Sequence, residues 1–245
     1  MTYLASVEYC GKNYCGWQRQ VGQLSVQEVM ENACEGLFGV KTAVTASGRT
    51  DAGVHALCQA VSFFADTSVP TENLHLALNA RLPDDIRVRA CHEVSDDFNA
   101  RFSAKRKTYL YKAYISEIGS AIRKDFYAQI VPPFDYRKAK KACEGLVGTH
   151  DFLAFSATGS DVKDTVRTIY EATVEVNADE VYITVSGNGF LYNMVRIIAG
   201  TLIEIGKGRL PVDTVEKMIK TKDRSLGGKT YPACGLYLAS VEYGN

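Results

Sequence analysis

Residues 190–205 (FLYNMVRIIAGTLIEI) read as a helix that is apolar nearly all round. Such a helix has no face to offer water, so other parts of the chain must enclose it. The run is shorter than the roughly 20 apolar residues needed to span a bilayer, which marks a core helix rather than a membrane span. Arg196 interrupts it. A buried guanidinium costs several kcal/mol unless it is paired, so Arg196 calls for a carboxylate partner or a place on a cleft. At 245 residues, 46% hydrophobic and 23% charged, the chain can enclose this helix as one large domain or as two halves sharing a core.

The remaining periodicities supply the enclosing elements. Tyr3, Ala5, Val7 and Tyr9 alternate with Leu4, Ser6 and Glu8, as on a strand. Ser25 with Glu28 is a capping box, and Val26, Met30, Ala33 and Leu37 recur at helical spacing up to Gly39. A strand over 54–65, a helix over 71–81 and a strand over 86–94 follow. Residues 98–104 have no clear period and join the halves. Beyond them come a strand over 108–114, with Tyr109 and Tyr111 on one side, and a helix over 135–147 ended by residues 148–152. Strands over 168–176 and 181–186 are joined by a hairpin signal, a short helix begins at Pro211, and a last strand spans 235–243. The pattern alternates strands and helices in two halves, which predicts domains at 1–104 and 105–245. Leu4-Ala5-Ser6-Val7-Glu8-Tyr9 also reappears as residues 238–243, which makes the two ends comparable strands of one sheet.

Between the first helix and the second predicted strand lies Ala46-Ser47-Gly48-Arg49-Thr50-Asp51-Ala52-Gly53-Val54-His55-Ala56, where one carboxylate sits among an arginine, a threonine and two glycines. Two readings compete. In one, Asp51 accepts hydrogen bonds within a tight turn. In the other it is a nucleophile or general base, kept ionised by a nearby cation such as Arg49. Trp17, the single tryptophan, stands among glycines and amides, either as a core anchor or as the lining of a nucleotide pocket.

Composition excludes several classes. The N-terminus alternates instead of forming an apolar signal core, which predicts an intracellular, cytoplasmic chain with no membrane association. Seven scattered cysteines without a C-x-x-C pair argue against a disulfide framework, and four histidines without ligand spacing predict no metal. Net charge is zero, yet basic residues crowd 101–112 and 137–141 and recur at Lys217, Lys220, Lys222 and Arg224. Such clusters are solvated faces, or phosphate-binding surfaces where they line the cleft that holds Asp51.

The segment 48–56 (GRTDAGVHA) resembles the catalytic motif of the TruA-type tRNA pseudouridine synthases. The resemblance extends in order through Tyr14-Cys15-Gly16-Trp17-Gln18, Asn99-Ala100-Arg101-Phe102-Ser103-Ala104, Lys107-Thr108-Tyr109, His150-Asp151-Phe152, Asn193-Met194-Val195-Arg196, Lys222-Asp223-Arg224 and Gly235-Leu236-Tyr237-Leu238. It implies two related α+β halves whose antiparallel sheets, flanked by helices, meet across a central cleft, in a homodimer. It also implies isomerisation of uridine to pseudouridine at positions 38–40 in the tRNA anticodon stem-loop, without a cofactor.

By the same resemblance Asp51 is the essential aspartate, attacking C6 of the uracil or C1′ of the ribose, or abstracting the 2′ proton. Arg196 is its expected charge partner, and Arg49 fills the space left by the flipped base. Tyr109 packs on the uracil and helps remove the C5 proton, and Leu236 forms the other wall of that pocket. Trp17, Arg101, Lys105, Arg106 and Lys107 are the remaining candidates for substrate binding. A non-catalytic RNA-binding module would be marked by substitution of Asp51 or Tyr109, and neither is substituted. An unrelated hydrolase would need a water-activating base or a metal cluster, and the sequence offers neither.

Overall fold

A computed structural model describes residues 1–157, 159 and 163–244. The chain runs through β1 (Thr2–Tyr9), α1 (Val26–Phe38), β2 (Val44–Ala46), β3 (His55–Phe64), α2 (Thr71–Asn79), β4 (Ile86–Val94), β5 (Ala104–Ile115), β6 (Ala128–Ile130), α3 (Tyr136–Cys143), β7 (Gly148–Asp151), β8 (Val166–Asn177), β9 (Glu180–Gly187), α4 (Met194–Gly206), α5 (Thr214–Thr221) and β10 (Leu236–Tyr243). This is the expected α+β class. Two compact units form, residues 1–105 with 238–245, and residues 106–237.

In the first unit the strand order is β4-β1-β3-β10, with β2 also on β3. β1 pairs antiparallel with both neighbours, and its alternation is realised as burial: Tyr3, Ala5, Val7 and Tyr9 all face the core. The Ser25 hydroxyl caps α1 by accepting from Glu28 N at 3.2 Å, and Gly39, at φ 73°, ends the helix. α2 is stapled to β4 through Asn79, whose side chain bonds both Val88 N and Val88 O at 2.8 Å.

In the second unit the order is β5-β9-β8-β7, antiparallel throughout, with β6 added parallel to β5. α4 is the predicted buried helix, with Ile197, Ile198, Leu202, Ile203 and Ile205 fully enclosed. It begins four residues later than the apolar run does, because Asn193 takes a left-handed conformation at φ 59° and redirects the chain there. Gly200 lets the segment after α5 cross the helix closely, since a Cβ there would overlap the Lys229 carbonyl oxygen.

Three short strands, β2, β6 and β7, escaped the periodicity because three or four residues are too few to display a period. The predicted helix over 135–147 stops at Cys143 and tightens into a 3-10 turn over 144–146. Pro211 lies three residues before α5 and accepts from Thr214 N, forming the turn into the helix rather than its first residue. From Leu238 on, β10 belongs to the first unit, where it neighbours β3. The two echoing hexapeptides therefore flank β3 on either side, as comparable strands of one sheet. Among the described residues no helix is long and apolar enough to cross a membrane.

Candidate active site

The acidic loop is pinned on every side within the first unit. Asp51 opens a four-residue turn closed by Val54 N donating to Asp51 O at 3.1 Å, with Gly53 at φ 77° in its third position. Residues 11–17 run behind it. Trp17 N donates to Thr50 O at 3.0 Å, Gly53 N donates to Tyr14 O at 3.4 Å, and Gly16 forms a β-bridge with Asp51. Gly16 sits at φ 111°, and a Cβ there would run into Thr50 O, so only glycine allows this approach. Gly11 N donates to His55 Nδ1 at 3.1 Å, which leaves the His55 proton on Nε2 in the neutral ring.

Side chains from the sheet complete the brace. The Tyr9 and Thr50 hydroxyls share a buried 2.7 Å hydrogen bond, and burial pushes the Tyr9 phenol up to about 12, so it stays protonated. Gln59, fully buried on β3, accepts from Ser47 Oγ at 2.7 Å and donates to Gly48 O at 2.9 Å. Asp51 is left half-buried, with Arg49 and Ala52 exposed on either side. The turn expected from the bare motif is therefore present, and it presents the carboxylate on a fixed backbone. Trp17 is 4% exposed and packs 6.2 Å from the Tyr9 ring, so it supports the loop from the core side.

The sequence places Tyr9 and Gln59 on strands and gives neither a part at the site. A signal existed for Gln59, a polar residue sharing a strand face with Val61 and Phe63; burying it demands hydrogen-bond partners, and the loop supplies them.

The second unit carries another group of candidates. Tyr109, 8% exposed on β5, lies opposite Val185 of β9 and receives the edge of Phe190 at 5.0 Å and 82°. Three residues beyond Phe190, the Asn193 side chain accepts from Arg196 Nη1 at 2.7 Å. Arg196 Nε donates to Tyr231 O at 2.8 Å, and Tyr231 N returns a bond to Arg196 O at 3.2 Å. The guanidinium is thus half-buried and fixed by a strap, residues 227–236, that crosses α4 at Gly200. Tyr111 OH ties the same strap down at Pro232 O, 2.7 Å away. Burial raises the Tyr111 phenol well above its usual value while Arg196 pulls it the other way. Leu236, buried at the end of the strap, follows Gly235, where a Cβ would strike Lys112 O and the Tyr111 ring.

The basic candidates differ among themselves. Arg101 and Lys105 are exposed. Arg106 is held down, with Nε donating to Ser186 Oγ at 2.9 Å and its guanidinium 5.2 Å from the centre of the Tyr170 ring. Lys107 is half-buried. All seven cysteines are free thiols, and burial pushes Cys34, Cys91 and Cys143 up to about 12.

The braced Asp51 in one unit and the strapped Arg196 in the other both lie within segments matched by one family model. The model for tRNA pseudouridine synthase matches residues 5–103 and 142–244. The chain belongs to the tRNA pseudouridine synthase family. Relatives named tRNA pseudouridine synthase A support this over the full length. The one from Ruminiclostridium cellulolyticum is 46% identical over 239 residues, covering 97% of this chain and 98% of its own. That from Bacillus licheniformis is 45% identical over 248 residues, covering both chains completely, and that from Thermoanaerobacter sp. is 45% identical over 237 residues, covering 97% of each. Among solved structures, a chain of a Cbf5-Nop10-Gar1 complex matches 97% of this chain and 58% of its own, with TM-score 0.38 and 10% identity. As a member of this family the chain is an isomerase that forms pseudouridine in tRNA.

Proposed function

We propose that this pseudouridine synthase acts on uridines at positions 38–40 of the tRNA anticodon stem-loop, with Asp51 as the catalytic aspartate. The observation that carries the reading is the Asp51 loop: a half-buried carboxylate on a backbone braced by Trp17 N, Gly16, Gln59 and the Tyr9–Thr50 hydroxyl pair. A nucleophile held this way starts close to its productive geometry, so little ordering remains to be done when the uridine arrives. Attack at C6, attack at C1′ and removal of the 2′ proton all require the ionised carboxylate, and none requires a cofactor.

The other candidates take roles toward the flipped uridine. The flat Arg49 guanidinium, exposed beside the acid, fills the gap left in the RNA stack. The Tyr109 ring packs on the uracil, its phenol assists removal of the C5 proton, and Leu236 supplies an apolar wall. Arg196 provides the positive charge that favours the ionised nucleophile. Trp17 acts on the substrate side only through the loop it supports. Arg101, Lys105, Arg106 and Lys107 meet phosphates, which position RNA without reading its sequence.

A cytoplasmic homodimer belongs to the same reading. It is supported by Ile118, Ile122, Phe126 and Val131, apolar side chains exposed along one stretch of the second unit. Light scattering that returned only the 26.9 kDa protomer mass would remove the dimer.

The decisive experiment replaces Asp51 with Asn or Ala and measures pseudouridine in a tRNA transcript. Turnover should fall on the order of 10⁴-fold or more while the fold is retained; a folded Asp51→Ala protein with turnover intact would sink the assignment. Mapping pseudouridines in cellular tRNA with and without the gene tests the positions, and loss anywhere other than 38–40 would move the substrate.

A further inference from the structure

The loop between β4 and β5 carries an aromatic side chain that neither the core nor the roles above employ. Its backbone is held from several directions within the first unit. Ala100 N donates to Ser62 Oγ at 3.1 Å, and Tyr243 OH donates to Ala100 O at 2.9 Å. Ser103 N donates to Asn99 O at 2.9 Å. The Asn99 side-chain oxygen accepts from Arg101 N at 2.9 Å and from Phe102 N at 3.3 Å, an Asx turn that fixes the tip. Phe98 secures the entrance by packing on Tyr243, ring centres 5.0 Å apart.

This braced tip points its two largest side chains at solvent. Phe102 is 76% exposed, and the Arg101 guanidinium lies 5.4 Å from the centre of its ring. A single exposed apolar residue is ordinary on a protein surface. An exposed ring on a backbone tied by a buried alanine and an Asx turn is a different matter, because the loop is not free to fold the ring down against its neighbours. The tip itself carries exposed cations, Arg101 and Lys105, while the exposed acids of the same loop, Asp96 and Asp97, stand before Phe98 at its entrance.

We propose that Phe102 is a substrate-binding residue whose ring stacks on an unpaired base of the tRNA, while Arg101 takes a phosphate of the same strand. The proposal rests on the tRNA substrate described above and adds a contact to it. A flat apolar face beside a cation is the combination by which single-stranded RNA is gripped: the π-face accepts any base, and the guanidinium meets the backbone. The fixed tip means that the ring loses little freedom when the base arrives.

Two substitutions test it. Phe102→Leu keeps an apolar side chain and removes the stacking face; the KM for a tRNA transcript should rise by about tenfold, within the range that base stacking on an aromatic ring supplies, while the melting temperature stays that of the wild type. Phe102→Trp should restore the affinity and adds a fluorophore at the tip, read above the shielded background of Trp17, which is 4% exposed. Its emission should be quenched by the transcript and protected from acrylamide when RNA is bound. A Phe102→Leu enzyme with wild-type KM would overturn the contact, as would emission from the Phe102→Trp protein that ignores RNA. Protection from acrylamide that depends on protein concentration without RNA would assign the ring to a second copy of the chain and likewise overturn it. A wild-type enzyme that made no pseudouridine, with fluorescence still responding to the transcript, would remove the activity reading and keep the stacking contact.

Discussion

Arg196 shows how much a single side chain can be asked to do. Its carbonyl and its Nε both engage Tyr231, and its Nη1 engages Asn193, so the guanidinium orders the strap over α4 as well as supplying charge. Arg196→Met keeps the stem length and removes the charge. On the proposed role, turnover should drop by at least about 10²-fold, as for loss of one electrostatic stabiliser, while tRNA affinity changes little. Equal loss of both, measured by filter binding beside single-turnover kinetics, would make Arg196 an RNA contact or a purely structural residue. The charge inside the apolar run was legible from residues 190–205 alone, as was the need for it to be compensated. The identity of its fixed partners was not, because Tyr231 lies 35 residues away and offers a backbone oxygen, which every residue possesses.

At the scale of elements, α4 reverses a rule of helix propensity. Glycine inside a helix is worth about 0.5–1 kcal/mol less than alanine, so Gly200→Ala would ordinarily stabilise. Here the added methyl overlaps the Lys229 carbonyl oxygen, and a Cβ on Gly228 would likewise run into Gly200 O. Overpacking of this kind costs about 1–3 kcal/mol, which outweighs the propensity gain. Gly200→Ala should lower the melting temperature by a few degrees, on the scale of roughly 2–4 °C per kcal/mol for a chain of this size; a rise would mean that the strap can lift away without cost. The long elements α1, β1, β4 and α4 were readable because burial on one face or all round leaves a period in the residues. The brace around Asp51 was readable only in part: the turn came from Gly48 and Gly53, whereas Gly11 and Gly16 matter because a second segment passes against them, and local pattern does not report what passes.

At the scale of the whole chain, the last strand returns to the first unit and supplies β3 with a neighbour, together with fully buried Leu238 and the Tyr243 hydroxyl that holds Ala100. A protein ending at residue 237 should therefore lose the first unit selectively. Limited proteolysis should cut within residues 1–105 while 106–237 persists, and turnover should vanish with it; a protected first unit would show that β10 is dispensable there. By itself the sequence determined the succession of elements, the buried helix with its charge, and the glycine-flanked acid, since each is written in the period or the backbone freedom of a few adjacent residues. Only the tertiary structure decided that Tyr9, Trp17 and Gln59 converge on the acid's loop and that β10 joins the first unit. A pattern records that a face is covered, but the covering partner is chosen by closing hydrogen bonds and apolar surface across the whole chain at once.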